Sequence, residues 1–211
     1  MFGKGIIKNK VISFCLLGLV AFSFSCVYPP DHHNQIDSVR EAKPVDERKY
    51  RKEDLNEALF DAAAHGRPQV IKVLISAGAN INSIRDDIGN TPLINAVNSS
   101  NEDTMRALIE LGADVNVANS IGRTALRYAV HYGLFEIMKT LIEKGANINS
   151  QDISGVTPLI QAVWHNESRM VRYLVDKGAD INIKDSERHS ALFYADESKN
   201  KEVSEILKLG K

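Results

Sequence analysis

The chain has 211 residues, with 26 basic and 27 acidic side chains for a net charge of −1, and 44% of it is apolar. That length bounds it to one or two domains, and the balanced charge argues against a nucleic-acid binder, which needs a basic face to neutralise phosphate. Its two cysteines, Cys15 and Cys26, both fall in the first 26 residues, so the rest of the chain carries no disulfide framework.

Lys4, Lys8 and Lys10 precede an apolar run from Val11 to Val27 that is interrupted only by small polar residues. A basic start, a hydrophobic stretch and small Ser23 and Ser25 ahead of Cys26 form an export signal over residues 1–25. The run is marginal for a permanent span, which needs about 20 apolar residues. The segment "SFSC" is similar to a bacterial lipobox, whose cysteine becomes the lipidated first residue of the mature protein. Ser25 fits that pattern, and Ser23 stands where leucine is usual. The expectation is an exported protein of the periplasm or cell envelope, tethered to the membrane through lipidated Cys26 alone. An ordinary cleavage nearby or an uncut anchor are the alternatives. Without the three leader lysines, 23 basic side chains stand against 27 acidic, a net −4.

Residues 26–54 carry prolines and mixed charge with little apolar content, too little to offset the entropy of ordering, and are read as a flexible tether. Its last residues could form a helix leading into the segment from Leu55. His32 and His33, without a partner cysteine or patterned carboxylate, do not make a metal site.

From Leu55 to the end the chain repeats itself. Gly122, Thr124, Leu126, Ala129, Leu141 and Gly145 recur 33 residues later as Gly155, Thr157, Leu159, Ala162, Leu174 and Gly178, and the same offset reaches back to Gly89, Thr91, Leu93, Ala96 and Gly112. Thr91, Thr124 and Thr157, with Pro92 and Pro158 behind two of them, are helix starts: the hydroxyl caps free amides, and proline lacks only a donor that the first turn leaves unused. Small residues such as Ala129 and Val130 keep this first helix thin. Ile137, Met138, Leu141 and Ile142 give the second helix one buried stripe. Gly78, Gly112, Gly145 and Gly178 close the second helices where a left-handed residue is needed.

On "GNTPL", "GVTPL", "GADVN", "GANIN" and "GADIN" the chain resembles the ankyrin-repeat family. The resemblance implies an all-α solenoid over residues 55–211: helix-turn-helix repeats at about 55–87, 88–120, 121–153, 154–186 and 187–211, with β-hairpin fingers and polar end caps. Asn56, Glu57 and Asp61 make the front cap, and Lys201, Glu202, Glu205 and Lys208 the rear one. The first finger carries one residue more than the others, among Ile84, Arg85, Asp86 and Asp87. The family's "TPLH" histidine, which braces neighbouring repeats, is replaced by Ile94, Arg127, Ile160 and Phe193, which implies stacking held more by apolar contact.

Catalytic signatures are missing: no phosphate-cradling loop, nucleophile elbow, "HExxH" or cysteine pair occurs after the leader. No enzyme activity and no cofactor or metal is expected. By ankyrin geometry the concave face gathers Tyr128, His131, Tyr132, Trp164 and His165, with Asn98 in the preceding repeat. Tyrosine and tryptophan are enriched in binding hot spots, although Tyr128 and Trp164 could instead pack between helices. Asp86, Asp152 and Asp185 near the finger tips serve turn chemistry and, with Arg85 beside them, are candidates for a rim facing a basic partner. The expected function is a monomeric module that holds an unidentified protein partner through its concave face and fingers. The alternative is an accessory or inhibitory factor that stabilises or regulates an envelope enzyme or toxin.

Overall fold

Ten helices occupy the described residues, in five consecutive pairs: α1 (Lys52–Ala64) with α2 (Pro68–Ser76), α3 (Pro92–Asn98) with α4 (Glu102–Glu110), α5 (Ala125–His131) with α6 (Phe135–Glu143), α7 (Pro158–Trp164) with α8 (Ser168–Asp176), and α9 (Ala191–Glu197) with α10 (Lys201–Leu209). The computed structural model describes residues 51–85 and 88–210. The leader, Cys26, most of the tether, Asp86 and Asp87 lie outside the described residues. Helix α1 begins three residues ahead of Leu55, so the end of the expected tether is helical.

The helices start for the reasons their sequence gives. The hydroxyls of Thr91 and Thr157 each accept from the amide three residues on at 3.2 Å, and Thr124 accepts from Arg127 N–H at 3.4 Å. Ser190 keeps the same extended backbone without that bond. At the other end of α6, Gly145 takes φ +86°; its N–H bonds Ile142 O while Ala146 N–H bonds Leu141 O. This paired closure satisfies carbonyls that a helix end leaves free. Gly78, Gly112 and Gly178 make the same closure.

The first helices of the pairs pack side by side, α1 on α3, α3 on α5, α5 on α7 and α7 on α9, each also lying against its own second helix. Leu93, Ala96, Leu126, Ala129, Leu159 and Ala162 are buried along this inner layer, and Ile71, Leu74, Met105, Leu108, Ile137, Leu141, Met170 and Leu174 along the outer one. No single helix pair could bury both faces, so each repeat depends on its neighbours.

Polar bracing is stronger than the loss of the "TPLH" histidine implied. It has moved to the last asparagine of motifs such as "GADVN". The side-chain oxygen of Asn82 accepts from Asp114 N–H at 2.9 Å, Asn116 from Asn147 N–H at 2.7 Å and Asn149 from Asp180 N–H at 2.9 Å. Asn56 begins this ladder by accepting from Asn80 N–H at 2.8 Å. Ile94 and Ile160 are buried as expected, but Arg127 is buried as a charge and Phe193 is exposed.

The fingers are tight turns more than hairpins. Only two isolated bridges, Arg85 with Asn90 and Lys184 with Ser190, occur among the described residues. Asn119, Asp152 and Asp185 each donate a backbone N–H to the carbonyl four residues on, whereas Arg85 reaches Asn90, five residues on. The extra residue therefore widens the first finger. Neighbouring fingers are joined by backbone bonds, Ser120 N–H to Ile88 O at 2.7 Å, Ile153 to Ile121 at 3.1 Å and Ser186 to Ser154 at 2.9 Å.

Close finger packing explains one glycine register and its exception. Gly155 has φ +74°, and a Cβ there would stand 2.9 Å from Asp185 Cα in the next finger. Among the described residues no further finger packs on the one at Asp185, and its equivalent residue, Arg188, adopts φ +67° with a side chain. A left-handed backbone still costs an ordinary residue roughly 1–2 kcal/mol. Arg188→Gly is accordingly expected to raise stability by about 1 kcal/mol in chemical denaturation, after the entropy of freeing a glycine is set against that cost. A variant no more stable than the parent would refute this reading of the finger.

Candidate functional site: an aromatic track on the inner helices

Helices α5 and α7 each present three positions, i, i+3 and i+4, towards the concave side: Tyr128, His131 and Tyr132 from one, Gln161, Trp164 and His165 from the other. The first position is drawn inward. Tyr128 is only 9% exposed, and its hydroxyl accepts from Asn119 Nδ2 at 3.2 Å. The later positions stand outward, with Tyr132 45% and Trp164 44% exposed. Tyr128 thus follows the alternative and packs inward rather than lining the open face, while Trp164 stands exposed on that face.

The rings form a track across two repeats. Tyr128 and Tyr132 are 6.4 Å apart between centroids, Tyr132 and His131 4.9 Å, and His131 and His165 5.3 Å. Trp164 instead meets Tyr194 of the next repeat edge-on at 5.2 Å. Gln161 ties the histidines together: its Nε2 is 3.3 Å from His131 Nδ1 and also contacts His165 Nε2. An amide nitrogen has two hydrogens to give, so Gln161 can serve a ring nitrogen of each histidine at once. Burial, followed by the positive charge of His165, Arg127 and Arg123, holds His131 below the ordinary histidine range.

Asp152 and Asp185 do not form the expected rim. They are 8% and 7% exposed. One oxygen of each caps its own turn: Asp152 Oδ1 accepts from Ser154 and Val156 N–H, and Asp185 Oδ1 from Glu187 and His189 N–H, all at 3.0 Å. The other oxygen faces inward. Asp152 Oδ2 pairs with Arg127 at 3.4 Å and Arg123 at 3.5 Å, and Asp185 Oδ2 accepts from Tyr194 Oη at 2.5 Å. Burial pulls Arg127 down to about 10 despite Asp152. Burial raises Asp185, but the bonds from Tyr194, His189 and Glu187 outweigh it and hold the carboxyl below its usual range. Tyr194 is pushed up to about 12 by its burial and by that same bond.

Of two further candidates, Arg85 is engaged and Asn98 is not, its buried side-chain oxygen having no hydrogen-bond partner among the described residues. Arg85 pairs with Asp61 at 3.1 Å and Glu57 at 3.8 Å, with its guanidinium 5.8 Å from the Phe60 ring centroid, so it holds the first finger against α1. Asn98 is half-buried at the end of α3, one 33-residue register before His131 on the neighbouring inner helix. Asp86 lies outside the described residues.

Residues that the sequence does not assign to the site complete the area. Arg123 and Arg127 share Asp152, and Phe193 stacks on His189 at 3.8 Å. The 33-residue register was the available signal, because it sets Arg127 against Ile94 and Ile160 and Arg123 against Asn90 and Val156. A second aromatic area lies on the outer helices, where the Arg169 guanidinium sits 3.7 Å from the Phe135 centroid and Tyr173 lies 5.6 Å from that ring. With Arg172 and Glu202 these line an open depression of about 500 Å³, whose arginines pair with Glu136 and Glu202.

Among the described residues no group of three or more histidine, cysteine or carboxylate side chains could hold a metal ion, and no helix is long and apolar enough to cross a membrane. Stacked helix pairs with an asparagine ladder and an exposed inner-face aromatic track define a repeat solenoid built to present side chains. The model of ankyrin repeats matches residues 59–152, 119–185 and 150–210, and the chain belongs to the ankyrin-repeat family, whose repeats serve protein–protein interaction. It is also similar to protein phosphatase 1 regulatory subunit 27 of Mus musculus, at 42% identity over 62 residues, which is 29% of this chain and 40% of that protein. The chain thus matches less than half the length of that relative.

Proposed function

We propose that this is an exported, lipid-anchored binding module that holds a protein partner in the groove lined by Tyr132, Trp164 and the two histidines. The observation that carries the reading is the exposure of Tyr132 and Trp164, 45% and 44%, on inner helices fixed by neighbours on both sides. Large rigid aromatics held in place by a scaffold lose little freedom on binding. The lipid anchor is proposed from the sequence, with Cys26 as the modified residue. Labelled fatty acid should enter the wild-type protein and not Cys26→Ser, and equal incorporation would remove the anchor.

Partner capture tests the groove. The protein tagged at its C-terminus is crosslinked in intact cells beside a Tyr132→Ala, Trp164→Ala double variant whose fold is checked by circular dichroism. The groove reading expects a partner captured by the wild type to fall at least tenfold in the variant. Equal capture by both would exclude the groove. A second reading, regulation of an enzyme, is favoured by the regulatory-subunit name of the mouse relative. Under it, adding this protein changes the captured partner's activity; under the first, binding leaves activity unchanged.

A further inference from the structure

The groove's charge is the reverse of what its aspartates suggest. Asp152 is buried, and its single carboxylate faces two guanidiniums, Arg127 at 3.4 Å and Arg123 at 3.5 Å. Among the described residues one positive charge of this cluster is therefore left over. The Arg127 side chain is 5% exposed while that of Arg123 is 40% exposed, so the surplus is presented at Arg123. Neither Nε–H has an acceptor in hydrogen-bonding geometry among the described residues. Asp185, the next finger's acid, is buried and bound by Tyr194.

That surplus adjoins the aromatic track. The Arg123 guanidinium lies 6.0 Å from the Tyr128 ring centroid, and the track continues through Tyr132 and His131 to His165. His131 feels the same field, since Arg127 and Arg123 both disfavour a proton on it. Trp164 adds an indole N–H, which only donates. Among the described residues the other acids of this face stand elsewhere: Asp61 is tied to Arg85, Glu187 is paired with His189, and Glu197 lies at the far end on α9. Donors and unmatched positive charge beside exposed aromatics suit a partner that brings carboxylates together with an apolar side chain.

We infer that the groove takes an acidic peptide segment, with a carboxylate at Arg123 and an apolar side chain against Tyr132 and Trp164. This rests on the binding-module reading and names the chemistry of its partner. A lone surplus cation on a chain of net negative charge does not suit a polyanion such as nucleic acid, which draws on many phosphate contacts.

Fluorescence anisotropy with the full-length protein tests it. Three labelled decapeptides, each alternating serine with a second residue around a central phenylalanine, carry glutamate, lysine or glutamine as that residue. The glutamate peptide is expected to bind at least tenfold more tightly than the glutamine one, to weaken as salt rises, and to lose about tenfold with Arg123→Asn. That variant copies Asn90 at the same register and so is compatible with the finger. Unchanged affinity with Arg123→Asn, or equal or tighter binding of the lysine or glutamine peptide, overturns the acidic segment. If such binding is still lost in Tyr132→Ala, Trp164→Ala, the groove as a binding module stands. No binding by any of the three also overturns the acidic segment, and crosslinking in cells, which presumes no partner charge, then decides the module reading separately.

Discussion

Asp152→Ala is expected to lower stability by about 3–5 kcal/mol, the range for removing one partner of a buried ion pair. Arg127 is 4% exposed, and Asp152 is its only paired carboxylate among the described residues. The same substitution strips the acceptor from Ser154 and Val156 N–H, loosening the turn itself. Two further variants separate these contributions. Asp152→Asn keeps an oxygen for the turn while removing the charge, so it should recover only part of the loss. Adding Arg127→Ile to Asp152→Asn reproduces the Ile94 and Asn119 combination of the preceding repeat, and apolar replacement of a buried pair is often neutral or stabilising. The double variant should approach wild-type stability in urea denaturation. If Asp152→Ala costs less than about 1 kcal/mol, the pair is a solvated one and this account of the finger fails.

Leu141→Ala is expected to cost on the order of 2–5 kcal/mol, through lost transfer energy and the cavity left behind. Leu141 is fully buried on α6, and its carbonyl also receives Ala146 N–H at the helix end. The adjacent Ile142 is only partly buried, so Ile142→Ala should cost less. The central position adds a second effect. Stability in a solenoid is a sum of repeat and nearest-neighbour terms, so weakening the third of five repeats should broaden the urea transition as the two ends uncouple. The same deletion at Leu207, in the terminal repeat, should leave the transition sharper. Equal broadening from both would contradict nearest-neighbour stacking.

The repeating frame was legible because each element is signalled within its own repeat. A threonine three residues before an amide it caps, a glycine after an amphipathic stripe and a pair of small residues all declare themselves locally. What escaped depends on the next repeat. An Asx turn whose second carboxylate oxygen meets water and one whose oxygen meets Arg127 read alike, so the sequence alone points Asp152 and Asp185 to a surface rim. The asparagine ladder escaped likewise, because Asn116 finds its amide at Asn147, in the succeeding repeat. Among the concave residues the register sets burial. Tyr128, Gln161 and Tyr194 share the first position and are withdrawn, whereas His131, Tyr132, Trp164 and His165 share the later two and stand out. The sequence placed all of them on one face without that distinction. The excess positive charge was hidden for the same reason as the buried aspartates: counting Arg123 and Arg127 against Asp152 requires knowing that they meet.

Hydrogen–deuterium exchange on the complex with a captured partner tests the central claim most directly. Binding in the groove predicts slowed exchange across residues 124–132 and 157–165, the inner helices and their ends, with the outer helices α4, α6, α8 and α10 unchanged. Protection confined to those outer helices, around Phe135, Arg169 and Tyr173, would contradict the account and move the binding surface to the convex face.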